Sequence, residues 1–391
     1  MRAFALVDHC LSGAGGHPVR MAETFLEARA GNTAWGRKDC ALGHPRLNRF
    51  FKTDFSSRVH RFPAKPSASA PKWKLVKHLL ACLVVMARTN AKYFAEVSRI
   101  KCAPSTIWFA PNASLFTLPG LLLHASLDPH RRIVCYFQNP PSRHLRACGL
   151  LARLLRLSNV RFVSEEVTMC ARTTEALRHK VHAALFPLLP PRWLSTPLTR
   201  RQSIGPLVMT VLGLPRREKG FHFIPDVAER LRGELASGKL ILEVQVRSED
   251  IELENLRLEL SRLKAAAGVR FVEGALSPED YLLKLRNCDA VFTPYLESAY
   301  SQRLSWISIE GLALGKPVLV TTNTLAADIL RRYRTGLFFP DANVDAMATS
   351  VGRLLANYEH FQDQSLAAAP AFRDDNSAER FFACLEHLFE S

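Results

Sequence analysis

The sequence predicts an α/β protein of two Rossmann-like, doubly wound domains facing a cleft. Three observations carry this. Residues 207–358 alternate short apolar runs with helical patterns six times over. The first 190 residues repeat that rhythm less regularly, and a proline-rich stretch separates the two series. Strand followed by helix, repeated, gives a parallel sheet covered on both faces.

In the second series the apolar runs are LVMTVL from Leu207, LILEVQ from Leu240, VRFVE from Val269, DAVFT from Asp289, PVLV from Pro317 and GLFF from Gly336. Helical periodicity fills the intervals at Phe221–Leu235, Ile251–Ala267, Pro278–Asn287, Ser305–Leu314, Leu325–Arg332 and Val344–Tyr358. In the first series RAFALVDHC reads as a buried strand, LSGAGGHP as the turn after it, and Val19–Ala30 as a helix. Strands follow at STIWFA, RRIVCYF and VRFVS, with helices at Ala113–Ala125 and Arg143–Leu157. FPAKPSASAPK is a Pro/Ser loop, and a long helix runs from about Lys72 to Arg99.

These elements divide the chain into a domain over 1–190, a linker over 191–206, a second domain over 207–370, and a final segment, 371–391, expected to cross back to the first domain. A length of 391 residues suits two cores, because single cores stop growing near about 250–300 residues. Nine cysteines without a CxxC pair or zinc-type His/Cys spacing fit reduced thiols in the cytoplasm, or at the inner face of the cell membrane. AFALV after Met1-Arg2 is too short for the apolar region of a signal peptide. LLACLVVMA, from Leu79, is too short to span a bilayer.

Charge is uneven. Residues 1–200 hold 30 Lys and Arg against 10 Asp and Glu, whereas residues 201–391 hold 22 against 26. An anionic surface or polymer facing the first domain is one reading; a surface that merely keeps the protein soluble is the other. Nucleic acid fits the charge, but no basic-and-aromatic platform or recognition motif accompanies it.

Chemistry concentrates in YSQRLSWISIEGLALGKPVLV, Tyr300–Val320. Glu310 stands there among Gly311, Ala313 and Gly315, in a helix able to lie close to the sheet. Such a helix offers unpaired N–H groups and a positive dipole end to phosphate, and a carboxylate one to two turns in can accept both hydroxyls of a ribose. LGLPRREKGFHF supplies Arg216, Arg217 and Lys219 just after the strand from Leu207, placed to stabilise a diphosphate leaving group. No DxD pair stands at a strand end, so fixed cations rather than a metal are expected there, and no cofactor beyond the co-substrate. Gly15, Gly16 and His17 form a glycine turn whose N–H groups can approach a phosphate or sugar. Taken singly, each feature has a plainer reading, as a tight turn, a solvated loop or an ordinary helix glutamate. Their order, each at a strand end, argues otherwise.

The chain resembles the GT-B retaining glycosyltransferases of family four, glycosyl transferases group one. The matching segments are the turn at Gly15–His17, LGLPRREKG, FVEGALSPEDYLLKLRNCDAVFTPY, the stretch YSQRLSWISIEGLALGKPVLV and TGLFFPD. The resemblance implies that Arg216 or Arg217 and Lys219 hold the diphosphate, that Glu310 holds the ribose, and that the backbone at Leu304, Ser305 and Trp306 meets phosphate and sugar. It implies a hexosyltransferase using a nucleotide diphosphate sugar (UDP- or GDP-linked), acting with retention on a growing polysaccharide or lipid-linked acceptor. The family's Glu-seven residues-Glu spacing counts back from Glu310 to Gln302, which hydrogen-bonds but carries no charge. Where the family has a first-domain histidine the chain reads CYFQNPPSRH, offering Gln138 and Asn139. Those departures keep a second reading open, a catalytically weak relative serving as a scaffold in polysaccharide assembly.

The helix starting KWKLVKHLLACLVVMAR carries a broad apolar stripe with cations at its ends. It reads either as a core helix or as a reversible contact with an anionic membrane surface.

Overall fold

The computed structural model describes residues 2–11, 17–40, 42–51, 71–111, 113–138, 145–187, 189–194, 197–201 and 205–390. The chain divides into two units. Met1–Pro190 joins Ala378–Ser391 in one, and Pro191–Ser377 makes the other.

Among the described residues the first unit's sheet has seven parallel strands. They are β1 (Phe4–Val7), β2 (Thr33–Arg37), β3 (Leu47–Phe51), β4 (Ile107–Ala110), β5 (Ile133–Phe137), β6 (Val160–Ser164) and β7 (Val181–Ala183), in the order β3-β2-β1-β4-β5-β6-β7. Central strands β1, β4 and β5 are buried at every position, as a sheet covered on both faces requires. Strands β2, β3 and β7 escape the sequence pattern. TAWGR contains a glycine and an arginine, and LNRFF lies at the sheet edge with only Phe51 fully buried, so neither shows the apolar run of an interior strand.

An aromatic cluster fills one face of this unit. Phe25 stacks on Phe109 at 5.7 Å, and the helix Ala378–His387 inserts Phe381 and Phe382, which lie 5.6 Å from Phe109 and 4.8 Å from Phe4 respectively. Glu386 of the same helix accepts from the Arg2 amide at 3.0 Å and from Arg29 at 2.7 Å.

The second unit repeats the topology. Its strands β8 (Leu207–Val211), β9 (Leu240–Val246), β10 (Val269–Glu273), β11 (Ala290–Thr293), β12 (Val318–Thr321) and β13 (Leu337–Phe339) run β10-β9-β8-β11-β12-β13, all parallel. The order reverses between β8 and β11, which pair through Met209–Ala290 and Thr210–Val291. Ligands of open α/β sheets bind outside the carboxyl ends of the strands at such a switch.

Two expected helices are each broken in two. Phe221–Leu235 becomes Ile224–Arg230 and Arg232–Ala236 after a 3₁₀ turn, and Ile251–Ala267 is interrupted by Asn255, whose φ of 53° leaves the helical region. The helix Tyr358–Asp375 runs straight through residue 371, so the segment returning to the first unit begins at Ala378. The stretch expected as a linker clusters with the second unit. Arg373 donates to the Leu194 carbonyl at 3.0 Å, Arg201 pairs with Asp289 at 3.1 Å, and Arg200 with Asp363 at 2.5 Å.

Candidate active site

The loops after β8 and β11 meet at the second unit's switch point. The first leaves β8 through Gly213, with φ at 107°, and makes a 3₁₀ turn over Arg217–Lys219. It closes at Gly220, whose φ is 70° and whose missing Cβ would stand 1.9 Å from the Pro294 carbonyl oxygen. Only glycine allows that approach. The Leu296 amide then donates to the Glu218 carbonyl at 3.0 Å, joining the two loops. Gln245, buried at the end of β9, accepts from the Gly213 amide at 2.7 Å and donates to the Gly274 carbonyl at 2.9 Å, which fixes the loop's departure.

Lys219 leans back over Gly213. Its ammonium would sit 2.9 Å from a Cβ at that position and lies 5.7 Å from the Tyr295 ring centroid. Arg303, from the turn after the helix Glu297–Tyr300, donates to Glu218 at 3.0 Å and stacks over Tyr300 at 5.4 Å. Arg216 reaches the same Glu218 oxygen at 3.5 Å. Lys219, Arg216 and Arg303 therefore gather about one carboxylate and two tyrosines. Burial, followed by the neighbouring Tyr300 hydroxyl, raises the Tyr295 phenol well above its ordinary range, so it stays a neutral donor. The same tyrosine feels both Glu310 and Glu218 and hydrogen-bonds to Ser305, linking the cations to the next helix.

That helix, Trp306–Ala313, is wholly buried, and Ser305 at its N-cap makes no side-chain cap. Its hydroxyl instead meets Ser308 Oγ at 2.8 Å, which in turn meets Thr293 at 2.9 Å. Ser305 therefore gives the first amides no side-chain acceptor, and its contact with Tyr295 ties this helix start to the loop that carries Lys219. Gly311 lies close to the sheet: a Cβ there would come 3.0 Å from Val291 and 3.1 Å from Val318. Glu310 is fully buried and accepts from the Tyr281 hydroxyl at 2.7 Å.

Of the residues singled out in the sequence, Lys219, Arg216, Ser305 and Glu310 are brought into this network, and Leu304 and Trp306 are buried at the start of its helix. Gln302 is half-buried in the turn beside Arg303. Arg217 turns elsewhere, donating to the Glu254 and Asn255 carbonyls at 3.2 and 3.1 Å and to Glu259 at 3.3 Å. Sequence reasoning missed Arg303, Gln245 and Tyr281. Arg303 had one available signal, its place next to the uncharged Gln302.

In the first unit, Gly15, Gly16 and Asn139 lie outside the described residues, as does the side chain of His17, which opens the helix His17–Ala28. Gln138 places its amide 3.7 Å from the Met21 sulfur. At the end of β1, Asp8, His9 and Cys10 bring ligand-type atoms within 4.8 Å of one another. Burial, then the Asp8 charge, pushes the Cys10 thiol far above its ordinary range.

Residues 205–357 match the family described as Glycosyl transferases group 1. No curated protein sequence matches the chain. Solved structures with the same fold include an α,α-trehalose-phosphate synthase (UDP-forming) from Burkholderia xenovorans in complex with glucose-6-phosphate, at 12% identity and a TM-score of 0.69 over 99% of this chain and all of that one. Another is the trehalose-6-phosphate protein from E. coli bound with UDP-2-fluoro glucose, at 12% identity and TM-score 0.69 over 100% of this chain and 99% of that one. A third is Anabaena HepE in complex with UDP, at 12% identity and TM-score 0.61 over the full length of both. Residues 205–357 thus carry a glycosyl transferases group 1 domain built around this network, and the chain as a whole has the two-sheet fold of these solved structures.

Proposed function

We propose that the enzyme transfers a hexosyl group, with retention and without a metal, from a UDP- or GDP-sugar to a polysaccharide or lipid-linked acceptor. The observation that carries this is the gathering of Lys219, Arg216 and Arg303 beside a helix whose buried Glu310 is already oriented by Tyr281. The cations and the positive dipole end of the helix take the diphosphate, and Glu310 takes the ribose diol. Gln302 offers the sugar an amide in place of a carboxylate. Two solved neighbours hold UDP or a UDP-sugar, which supports the UDP branch.

In this reading the bond from the anomeric carbon to the leaving phosphate breaks as the acceptor oxygen bonds to that carbon on the same face. The acceptor proton passes to the departing phosphate oxygen. Fixed cations stabilise the charge that develops on the diphosphate, worth about 10²–10³ in rate for one such group. No titrating side chain of the first unit is required, in keeping with the absence of a histidine between Ile133 and Gln138. Acceptor recognition falls to the basic first unit, with reversible contact at an anionic membrane surface.

The test is nucleoside diphosphate release from a panel of UDP-, GDP-, ADP- and dTDP-sugars by wild type and Glu310→Ala. Release with one donor, lost in the variant, is the expected result. Wild-type release in the variant overturns the assignment of Glu310.

A further inference from the structure

The helix Lys72–Val97 is anchored only over its last third. Burial begins at Thr89 and Asn90. Asn90 donates to the Leu115 carbonyl and accepts from the Gly120 amide, and Gly120 lets the helix Leu118–Leu127 approach so closely that a Cβ would meet the Asn90 carbonyl at 2.6 Å. Between Trp73 and Arg88, among the side chains described, none is fully buried. That stretch is about 24 Å of helix at 1.5 Å per residue.

Its outer face is apolar. Trp73, Val76, Leu79, Leu80, Leu83 and Val84 are each between 47% and 61% exposed. At 3.6 residues per turn these six cover an arc of about 140°. His78, Ala81, Cys82, Val85 and Met86 lie on the opposite arc and are half-buried. The edge of the stripe is cationic: Lys77 and Arg88, eleven residues apart, stack along one flank, with Lys74 and Lys92 one step further round. The Lys74 ammonium lies 5.7 Å from the Trp73 ring centroid. No Asp or Glu occurs between residues 72 and 95. An apolar stripe this wide on a protein surface marks an interaction site, and no helix among the described residues is long and apolar enough to cross a membrane.

We infer that the face Trp73–Val84 lies in the headgroup region of an anionic bilayer, with Lys77 and Arg88 on lipid phosphates. Charge complementarity selects this occupant. A stripe edged only by cations, in a half-chain with 30 basic and 10 acidic residues, matches an anionic surface better than a second copy of itself, whose cations would meet its own. The inference rests on the membrane part of the reading above and specifies which residues make the contact.

The experiment is sedimentation of the full chain with phosphatidylcholine vesicles, and with vesicles in which about a third of the lipid is phosphatidylglycerol. It compares wild type, Leu80→Glu/Leu83→Glu and Lys77→Glu/Arg88→Glu. The expected result is wild-type binding to the anionic vesicles that fades between low and high salt, weak binding to neutral ones, and a loss of at least about tenfold in either variant. Nucleoside diphosphate release by the three proteins in solution stays equal, so a failure of the catalytic reading and a failure of this one are separable. Equal binding to both vesicle types, no binding, or variants that bind like wild type would each overturn the inference. So would a wild-type dimer that Leu80→Glu/Leu83→Glu dissolves, since it assigns the face to a second copy.

Discussion

The hydroxyl of Tyr281 points its hydrogen at Oε2 of Glu310, 2.7 Å away, from the helix Pro278–Asn287 onto the helix Trp306–Ala313. A fully buried carboxylate is thereby held in one orientation before any nucleotide arrives. Charge-assisted hydrogen bonds contribute about 1.5–3 kcal/mol each. Glu310→Gln is expected to weaken UDP or GDP binding by about tenfold to a hundredfold, with Tyr281→Phe showing a smaller loss of the same sign. Calorimetric titration of both variants checks this, and undiminished affinity in Glu310→Gln would remove the ribose assignment.

Lys219 and Arg303 are expected to act on turnover. Replacement of Lys219 by alanine costs about 10²–10³ in kcat if it faces the leaving diphosphate. Arg303→Ala lowers kcat in the same sense, whereas Arg217→Ala, which breaks contacts with Glu254, Asn255 and Glu259, leaves kcat within about twofold and lowers Tm by no more than about 4 °C. A larger kcat loss in Arg217→Ala than in Arg303→Ala would reverse the two roles.

Gly220→Ala places a methyl group 1.9 Å from the Pro294 carbonyl at a φ of 70°. Both loops of the site must then move. A loss of more than about 2 kcal/mol in stability is expected, together with donor binding, and denaturant unfolding followed by circular dichroism measures it.

Acid should loosen the helix Ala378–His387. Burial alone would raise the Glu386 carboxyl, but the Arg29 hydrogen bond, the Arg2 amide and the Arg29 charge outweigh it and hold the group below its ordinary 4.5. A carboxyl depressed in the folded state stabilises fully above its unfolded value, and the contribution disappears as pH falls through the folded one. Hydrogen exchange of residues 378–387 is therefore expected to accelerate as pH drops below about 4.5, once the intrinsic exchange rate is allowed for. Glu386→Gln should lack that pH dependence; an unchanged profile in the variant would show that Glu386 is not the latch.

The interior strands were legible because FALV and IVCYF are uninterrupted apolar runs and LVMTV is broken only by Thr210. Edge strands were not, since LNRFF buries too little to leave a pattern. The chemistry divides in a similar way. Glu310 announced itself as a charge in a small-residue helix, and Lys219 as a cation at a strand end. Arg216 and Arg217, adjacent in sequence, were indistinguishable there. Their separation follows from a 3₁₀ turn that sends Arg217 toward the Glu254 and Asn255 carbonyls and leaves Arg216 at Glu218. Arg303 joins the site only because the chain reverses after Tyr300, and a local pattern holds no trace of that long-range meeting with Glu218, 85 residues away.

The first unit borrows Phe381 and Phe382 from beyond the whole of the second. On a ribosome adding about 5–20 residues per second, the interval between finishing residue 190 and supplying those two rings lasts on the order of 10–40 s. During it Phe4, Phe25 and Phe109 have no such cover, while the second unit emerges with all its strands in hand. The order of synthesis thus makes the domain that begins the chain the later one to mature, and exposes it meanwhile to chaperones and proteases that its partner can avoid.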